Sequence, residues 1–165
     1  MPMKIPQDLF VHELSDIYDA EQRIVQMLPL MAQECNDPEV KSAFQQHEVE
    51  TKQQITNIQQ CFQTLGTSPE NAPCAAIAGL KQEHDSFLKE KPTEDLVTMY
   101  DLGGAAKTEH YEIASYQCLI EKANLMSQQK VSQLLQQNLQ QEEAMAKKVE
   151  SISKQVDKRL LSDMR

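Results

Sequence analysis

The sequence predicts an all-α fold, a four-helix bundle made of two antiparallel hairpins joined by one long crossover that carries a short helix. Three observations predict it. Apolar residues recur at three- and four-residue spacing along four long segments, which is the helical period. Composition agrees, with only 4 Gly and no Trp among 165 residues and an abundance of Gln, Glu, Ala, Leu and Met. The breaks between the segments are unequal, two short and one long. The length suits one domain over residues 1–165, able to bury about 70% of its unfolded surface.

The first helix is expected over residues 6–35, opening on Pro6, a residue tolerated at a first helical position. Leu14, Ile17, Ile24, Leu28 and Met31 form its apolar stripe, and Pro29 predicts a local kink near its end. Asn36-Asp37-Pro38 is a turn signal, after which the second helix, over residues 38–65, carries Val40, Phe44, Ile55, Ile58, Phe62 and Leu65 and stops at Gly66. A long helix over residues 93–124 begins where Thr93 can cap and Glu94 and Asp95 favour the positive end of the helix dipole. The last, over residues 127–158, carries Val131, Leu135, Met145, Val149, Ile152 and Val156, and the tail at 159–165 is expected to fray.

Connectivity then selects the fold. The first two long helices are joined by a few residues, as are the last two, so each pair is a hairpin. Between the hairpins lie 26 residues, 66–91, with a short helix expected at 75–88. That is enough chain to run the length of the bundle, and two hairpins with one long crossover is the ferritin-like arrangement rather than the up-down-up-down one.

Charge and cysteine usage narrow the function classes. A formal charge of −9 argues against nucleic acid or an anionic membrane as partner, and is compatible with attraction of cations. Cys35, Cys61, Cys74 and Cys118 are scattered, with no C-x-x-C pair, and read as reduced structural thiols. The opening MPMKIPQDLF has no signal-peptide apolar run and no segment approaches about 18 apolar residues, so a soluble cytoplasmic protein is expected.

Chemistry enters where polar residues interrupt the apolar stripes. Glu21 sits between Ile17 and Ile24; His47, Glu50, Thr51 and Gln54 interrupt the stripe from Phe44 to Ile58. Glu109 and Glu112 are bracketed by Ala106, Ile113 and Tyr116, and Glu142 lies between Asn138 and Met145. Every long helix thus offers an inward carboxylate. Their heights agree as well: Glu21 lies 14 residues before Cys35 and Glu50 12 after Pro38, each about 18–21 Å from the first turn. Glu112 lies 12 before Asn124 and Glu142 15 after Ser127, level within about one turn.

Such a layer has a charge problem, because no Lys or Arg occupies these stripe positions. Either several carboxyls take up protons, or cations occupy the middle. Two metals held by carboxylates and one imidazole would neutralise the cluster, and oxygen-rich ligation with a His suits iron or manganese better than zinc. The metal-ligand candidates are Glu21, His47, Glu50, Glu109, Glu112 and Glu142. His47 and Glu50, at i and i+3, share a face.

Most other polar residues have ordinary structural roles. Glu143, about 100° around its helix from Glu142, is read as facing solvent. His12, His84 and His110 show no comparable constellation, and His12 with Asp16 reads as a local polar pair. Met27, Met31 and Met99 read as core gap-fillers. Tyr111 and Tyr116 read as core residues, with the Tyr116 hydroxyl able to donate to a ligating carboxylate.

The segments LFVHELSDIYDAEQRI (9–24), FQQHEVETKQQI (44–55), KTEHYEIASY (107–116) and LQQEEAM (139–145) resemble the YciE/YciF family of ferritin-like proteins, and the resemblance covers nearly the whole chain. It implies a ferritin-like bundle, homodimers, a bacterial stress association and a di-metal centre. A more distant likeness to rubrerythrin rests on the Glu-x-x-Glu of Glu109 and Glu112. The sequence departs from the Glu-x-x-His pattern of di-iron bundles: Gln53 follows Glu50 at i+3, and Met145 follows Glu142. There is no four-cysteine iron–sulfur domain. The resulting expectation is two irons, or manganese, bridged by Glu50 and Glu142, with peroxide or dioxygen as reactant and turnover left open. The alternative is a metal-free homodimeric helical scaffold; ferritin-type storage is a weaker third reading.

Overall fold

Two tight turns and one long return path decide the architecture. The computed structural model describes residues 3–162. Its helices are α1 (Pro6–Glu34), α2 (Pro38–Leu65), α3 (Ala75–Lys89), α4 (Glu94–Leu125) and α5 (Gln129–Ser162), with no strand among the described residues. Pro29 lies inside α1, which continues past it to Glu34.

The α1–α2 turn is built by Asp37. Its Oδ1 accepts from the backbone N–H of Glu39 at 2.9 Å and of Val40 at 3.2 Å, satisfying donors that the start of α2 leaves open. Its Oδ2 accepts from Arg159 Nη2 of α5 at 2.8 Å. The expected fraying from residue 159 therefore does not occur through Ser162; 163–165 lie outside the described residues. α2 stops on Gly66, whose φ of 66° is the left-handed conformation that glycine adopts without steric cost.

Thr93 flanks α4 as expected, but its hydroxyl makes no capping bond. The first turn is held instead by Asn36, which donates to Asp95 Oδ1 at 2.9 Å. The α4–α5 turn places Ser127 at φ 58°, so α5 starts at Gln129 rather than at 127.

These tethers set the helix directions. The end of α1, the start of α4 and the end of α5 meet at one end of the bundle, so α4 runs antiparallel to α1 and α5 antiparallel to α2. α1 packs on α2 and α4, and α5 packs on the same two, closing a four-membered ring; α3 lies outside against α1 and α4. This is the ferritin-like arrangement. The crossover is pinned to α1 before α3 begins: Glu70 N–H donates to Ser15 Oγ at 2.9 Å and Cys74 N–H to Asp19 Oδ2 at 2.7 Å. His12 faces Glu70 at 3.8 Å, whereas Asp16 accepts from the Tyr111 hydroxyl at 2.7 Å, so the expected His12–Asp16 pair does not form.

The ring encloses a core that includes Phe10, Leu14, Ile17, Phe44, Ile58, Leu102, Leu135, Val149 and Ile152. Each such side chain contributes about 1.5–3 kcal/mol on burial. At mid-height the apolar packing gives way to a polar layer. No helix among the described residues is long and apolar enough to cross a membrane.

Candidate metal centre

The polar layer draws on every helix of the ring. Glu21 comes from α1, His47, Thr51 and Gln54 from α2, Glu109, Glu112 and Tyr116 from α4, and Asn138 and Glu142 from α5, and all are buried. Each sits on its helix's apolar stripe, so packing the flanking hydrophobes inward carries the polar group inward with them.

Four of these residues converge. His47, Glu109, Glu112 and Glu142 each present a ligand atom within 4.8 Å of the others. His47 Nε2 stands 3.6 Å from Glu109 Oε1. Glu21 adjoins them, facing Glu112 carboxyl to carboxyl, while Glu109 faces Glu142 in the same way. Two ionised carboxylates in such contact repel, and only a shared proton or a cation makes the arrangement favourable.

A second layer of hydrogen bonds orients the first. The Tyr116 hydroxyl donates to Glu21 Oε1, as its position in the stripe allowed, and the Gln54 amide donates to Glu142 Oε1. Asn138 Nδ2 donates to the Tyr116 oxygen at 3.1 Å and to the Gln54 carbonyl at 3.3 Å, and Asn57 donates to Asn138 Oδ1 at 2.7 Å. Gln54 and Asn138 were visible in the sequence as polar interruptions, but only their contacts reveal them as supports.

Glu50 occupies a different place. It is half-buried, and its Oε1 accepts from Gln46 at 2.7 Å. It stands at the edge of the cluster, where its charge still raises the Glu109 and Glu142 carboxyls. The inward positions of α2 are His47, Thr51 and Gln54. Glu143, read as solvent-facing, is half-buried.

Electrostatics record the cost of the layer. Burial, followed by the charge of Glu142, holds Glu21 and Glu112 well above the ordinary carboxylate range. Burial and the Glu142 carboxyl raise Glu109 in the same direction. Burial raises Glu142 to about 7 even though Glu109 and Gln54 hydrogen-bond to it, and burial lowers His47 to about 4, leaving it neutral at pH 7.

Several ligand-capable atoms have no hydrogen-bond partner among the described residues: both oxygens of Glu112, Oε2 of Glu21, Glu109 and Glu142, and both ring nitrogens of His47. Buried polar atoms are ordinarily satisfied. Orphaned oxygens and a neutral imidazole converging on one point are the donor set that iron or manganese takes. Two divalent cations would balance the four negative charges of Glu21, Glu109, Glu112 and Glu142. The residues fit the group.

A cavity of about 280 Å³ adjoins the layer and reaches from His47 and Glu109 toward α3. Met27, Met31, Met99 and Met145 line it; Met31 belongs to the core and Met27 and Met99 pack against it, as expected of gap-filling methionines. His84, read as lying in no constellation, stands at its far side beside Glu34 and Asp101.

Comparison with known proteins agrees with this architecture. Protein YciF from Escherichia coli (strain K12) is 32% identical over 145 residues, 87% of each chain. The crystal structure of that E. coli stress protein superposes with a TM-score of 0.90 at 29% identity, covering 94% of this chain and 99% of that one. YcfI from Rhodopseudomonas palustris gives a TM-score of 0.85 at 33% identity, over 89% of this chain and 94% of its own. The family described as domain of unknown function DUF892 matches residues 5–161, nearly the full length, and the chain belongs to that family.

Proposed function

We propose that this chain is a di-metal protein of the bacterial stress response, holding two iron ions in the middle of its bundle and reacting with peroxide or dioxygen. Manganese is the other cation that the donor set suits. The observation that carries this reading is the set of orphaned atoms on Glu21, His47, Glu109, Glu112 and Glu142, converging from all four helices of the ring. The stress role is supported by similarity to YciF, described as a stress protein.

The protein's own contribution is geometry and proton control. His47, Glu109, Glu112 and Glu142 would hold the metals, with Glu21 and the edge carboxylate Glu50 completing the set. Neutral His47 presents a lone pair without first losing a proton. Tyr116 and Gln54 fix the orientation of Glu21 and Glu142, which second-layer groups do in metal sites generally. Glu142, with its carboxyl near 7 in the metal-free protein, gives up its proton readily when a cation arrives. A bound pair of ferrous ions would supply the two electrons that, with two protons from solvent, take peroxide to two waters, and an external reductant would have to restore them.

Metal analysis of protein produced in iron-supplemented medium tests the reading, with Glu112→Gln alongside. At least about two irons per chain are expected in the wild type, and Glu112→Gln is expected to lose more than about one of them. Iron near zero in both would sink the proposal.

A metal-free homodimeric scaffold is the second reading, favoured by exposed Leu30, Leu96 and Leu125 and by the structural role suggested in the description of YcfI. It requires a melting temperature indifferent to added iron or manganese, since a ligand bound only by the folded state must raise it. Sedimentation of the full chain tests the homodimer itself.

A further inference from the structure

A second cluster lies where the crossover helix α3 meets the end of the bundle formed by the α1–α2 turn. His84 of α3 directs Nε2 at two carboxylates on different helices, Glu34 Oε2 of α1 at 2.9 Å and Asp101 Oδ1 of α4 at 3.2 Å. One ligand atom from each of the three residues lies within 4.8 Å of the others.

Hydrogen bonding alone leaves this arrangement incomplete. A ring nitrogen carries at most one hydrogen, and directing it at Glu34 leaves Asp101 Oδ1 without a donor. The Asp101 side chain is 0% exposed, and its other oxygen has only the Cys35 thiol, a weak donor at 3.6 Å. Burial raises the Asp101 carboxyl to about 6 although His84 pulls it down. The separations of 2.9 and 3.2 Å match the roughly 3 Å between neighbouring ligands on an octahedral cation with bonds of about 2.1 Å. Nearby, Lys81 Nζ bonds Asp85 at 2.6 Å. A small cavity of about 40 Å³ is bordered by Glu34 and His84, and Asp101 and His84 line the larger one.

We propose that Glu34, His84 and Asp101 form a second cation site, taking one divalent first-row transition ion, that clamps α3 across the cavity leading to the central layer. The clamp has mechanical meaning because α3 is loosely held. Its only fully buried residue is Ile77, near its start, and its later half rests on His84, the exposed Glu83–Lys107 ion pair at 3.2 Å and the stack of Phe87 on Tyr100, with ring centroids 3.9 Å apart. Leu80, Glu83 and His84 of α3 form one wall of the cavity. One nitrogen and two carboxylate oxygens suit manganese, ferrous iron or zinc, and exclude the calcium preference for oxygen alone. This site is independent of the central one and shares no residue with it.

Manganese chloride titration of the full chain, with free ion followed by electron paramagnetic resonance, tests it in the Glu112→Gln background. About one manganese per chain is expected there, with affinity falling at least about tenfold when His84→Ala or Asp101→Asn is added. Manganese should also slow tryptic cleavage after Lys89 in Glu112→Gln and leave the Glu112→Gln/Asp101→Asn rate unchanged. Asp101→Asn is close in shape to the original side chain and decides the matter if His84→Ala does not fold. Equal manganese affinity with and without Asp101→Asn, or no bound manganese in the Glu112→Gln protein, overturns the proposal. Failure of the central reading looks different: wild type and Glu112→Gln would then bind the same single ion, lost on Asp101→Asn.

Discussion

His47 Nε2 of α2 stands 3.6 Å from Glu109 Oε1 of α4, across the middle of the bundle, and both side chains are 3% exposed. The gap is too long for a hydrogen bond and close to the spacing of two ligands sharing one ion. His47→Ala is therefore expected to weaken iron or manganese binding by about 10- to 100-fold while the helical fold persists. Competitive metal titration checks it, and unchanged affinity would remove His47 from the ligand set.

Glu112 carries the heaviest unmet demand, with both oxygens orphaned and the side chain fully buried. Replacing it with Gln removes a carboxyl that must take up a proton, or a cation, to stay buried, without changing its shape. The metal-free variant is expected to gain roughly 1–3 kcal/mol of stability while losing metal-induced stabilisation. Denaturant melts of both proteins, with and without manganese, read the two effects separately.

The metal-free chain should be most stable in mild acid. Burial raises Glu142 from its ordinary 4.5 to about 7, and Glu21, Glu109 and Glu112 move the same way. Folding then favours proton uptake by Glu142, a contribution full below pH 4.5 and lost as pH rises through about 7. His47 opposes this: lowered from 6.5 to about 4 by burial, it contributes fully above pH 6.5 and loses that contribution as pH falls through about 4. Four raised carboxyls outweigh one imidazole. The melting temperature of metal-free protein should fall by roughly 5 °C or more between about pH 5 and 7.5. Bound metal should flatten this slope, because the ligands are already deprotonated. A metal-free melting temperature that rises over the same range would contradict the picture.

Tyr116 links Glu21 to Asn138 and through it to Asn57. Tyr116→Phe keeps the ring but leaves a buried carboxyl and amide without their shared partner, which should cost about 1–3 kcal/mol. Chemical denaturation measures it, and a neutral result would show that the ladder re-forms without the hydroxyl.

The thiols should divide one against three. Cys35, Cys61 and Cys74 are buried, and burial pushes Cys35 and Cys61 up to about 12, whereas Cys118 is exposed. A thiol-specific chromophoric reagent should titrate one sulfhydryl quickly in folded protein and four in denaturant. Fast reaction of more than one would mean that the bundle opens near a buried cysteine.

Much of this protein is legible one helix at a time. Period-3.6 stripes put Glu21, Glu109, Glu112 and Glu142 inward, and counting residues from each turn levels them, because rise per residue is constant. Gly66 and Asp37 mark their boundaries through local chemistry that needs no neighbour. Azimuth within a stripe is set by how the helices pack. His47 and Glu50 lie on one face of α2, yet the axis of packing passes through His47, Thr51 and Gln54, which turns Glu50 to the edge.

What lay beyond the sequence depends on where separate segments come to rest. Glu34, His84 and Asp101 are 50 and 17 residues apart, and no periodicity links a crossover helix to the helices it crosses. Thr93 looked like a cap, but Asn36 reached the first turn of α4 instead. The ring of carboxylates is a consequence of helical period and turn position, both local properties of the chain. The His84 cluster, the edge position of Glu50 and the Tyr116–Asn138 ladder exist only because the hairpins dock at one angle and the crossover returns along one side.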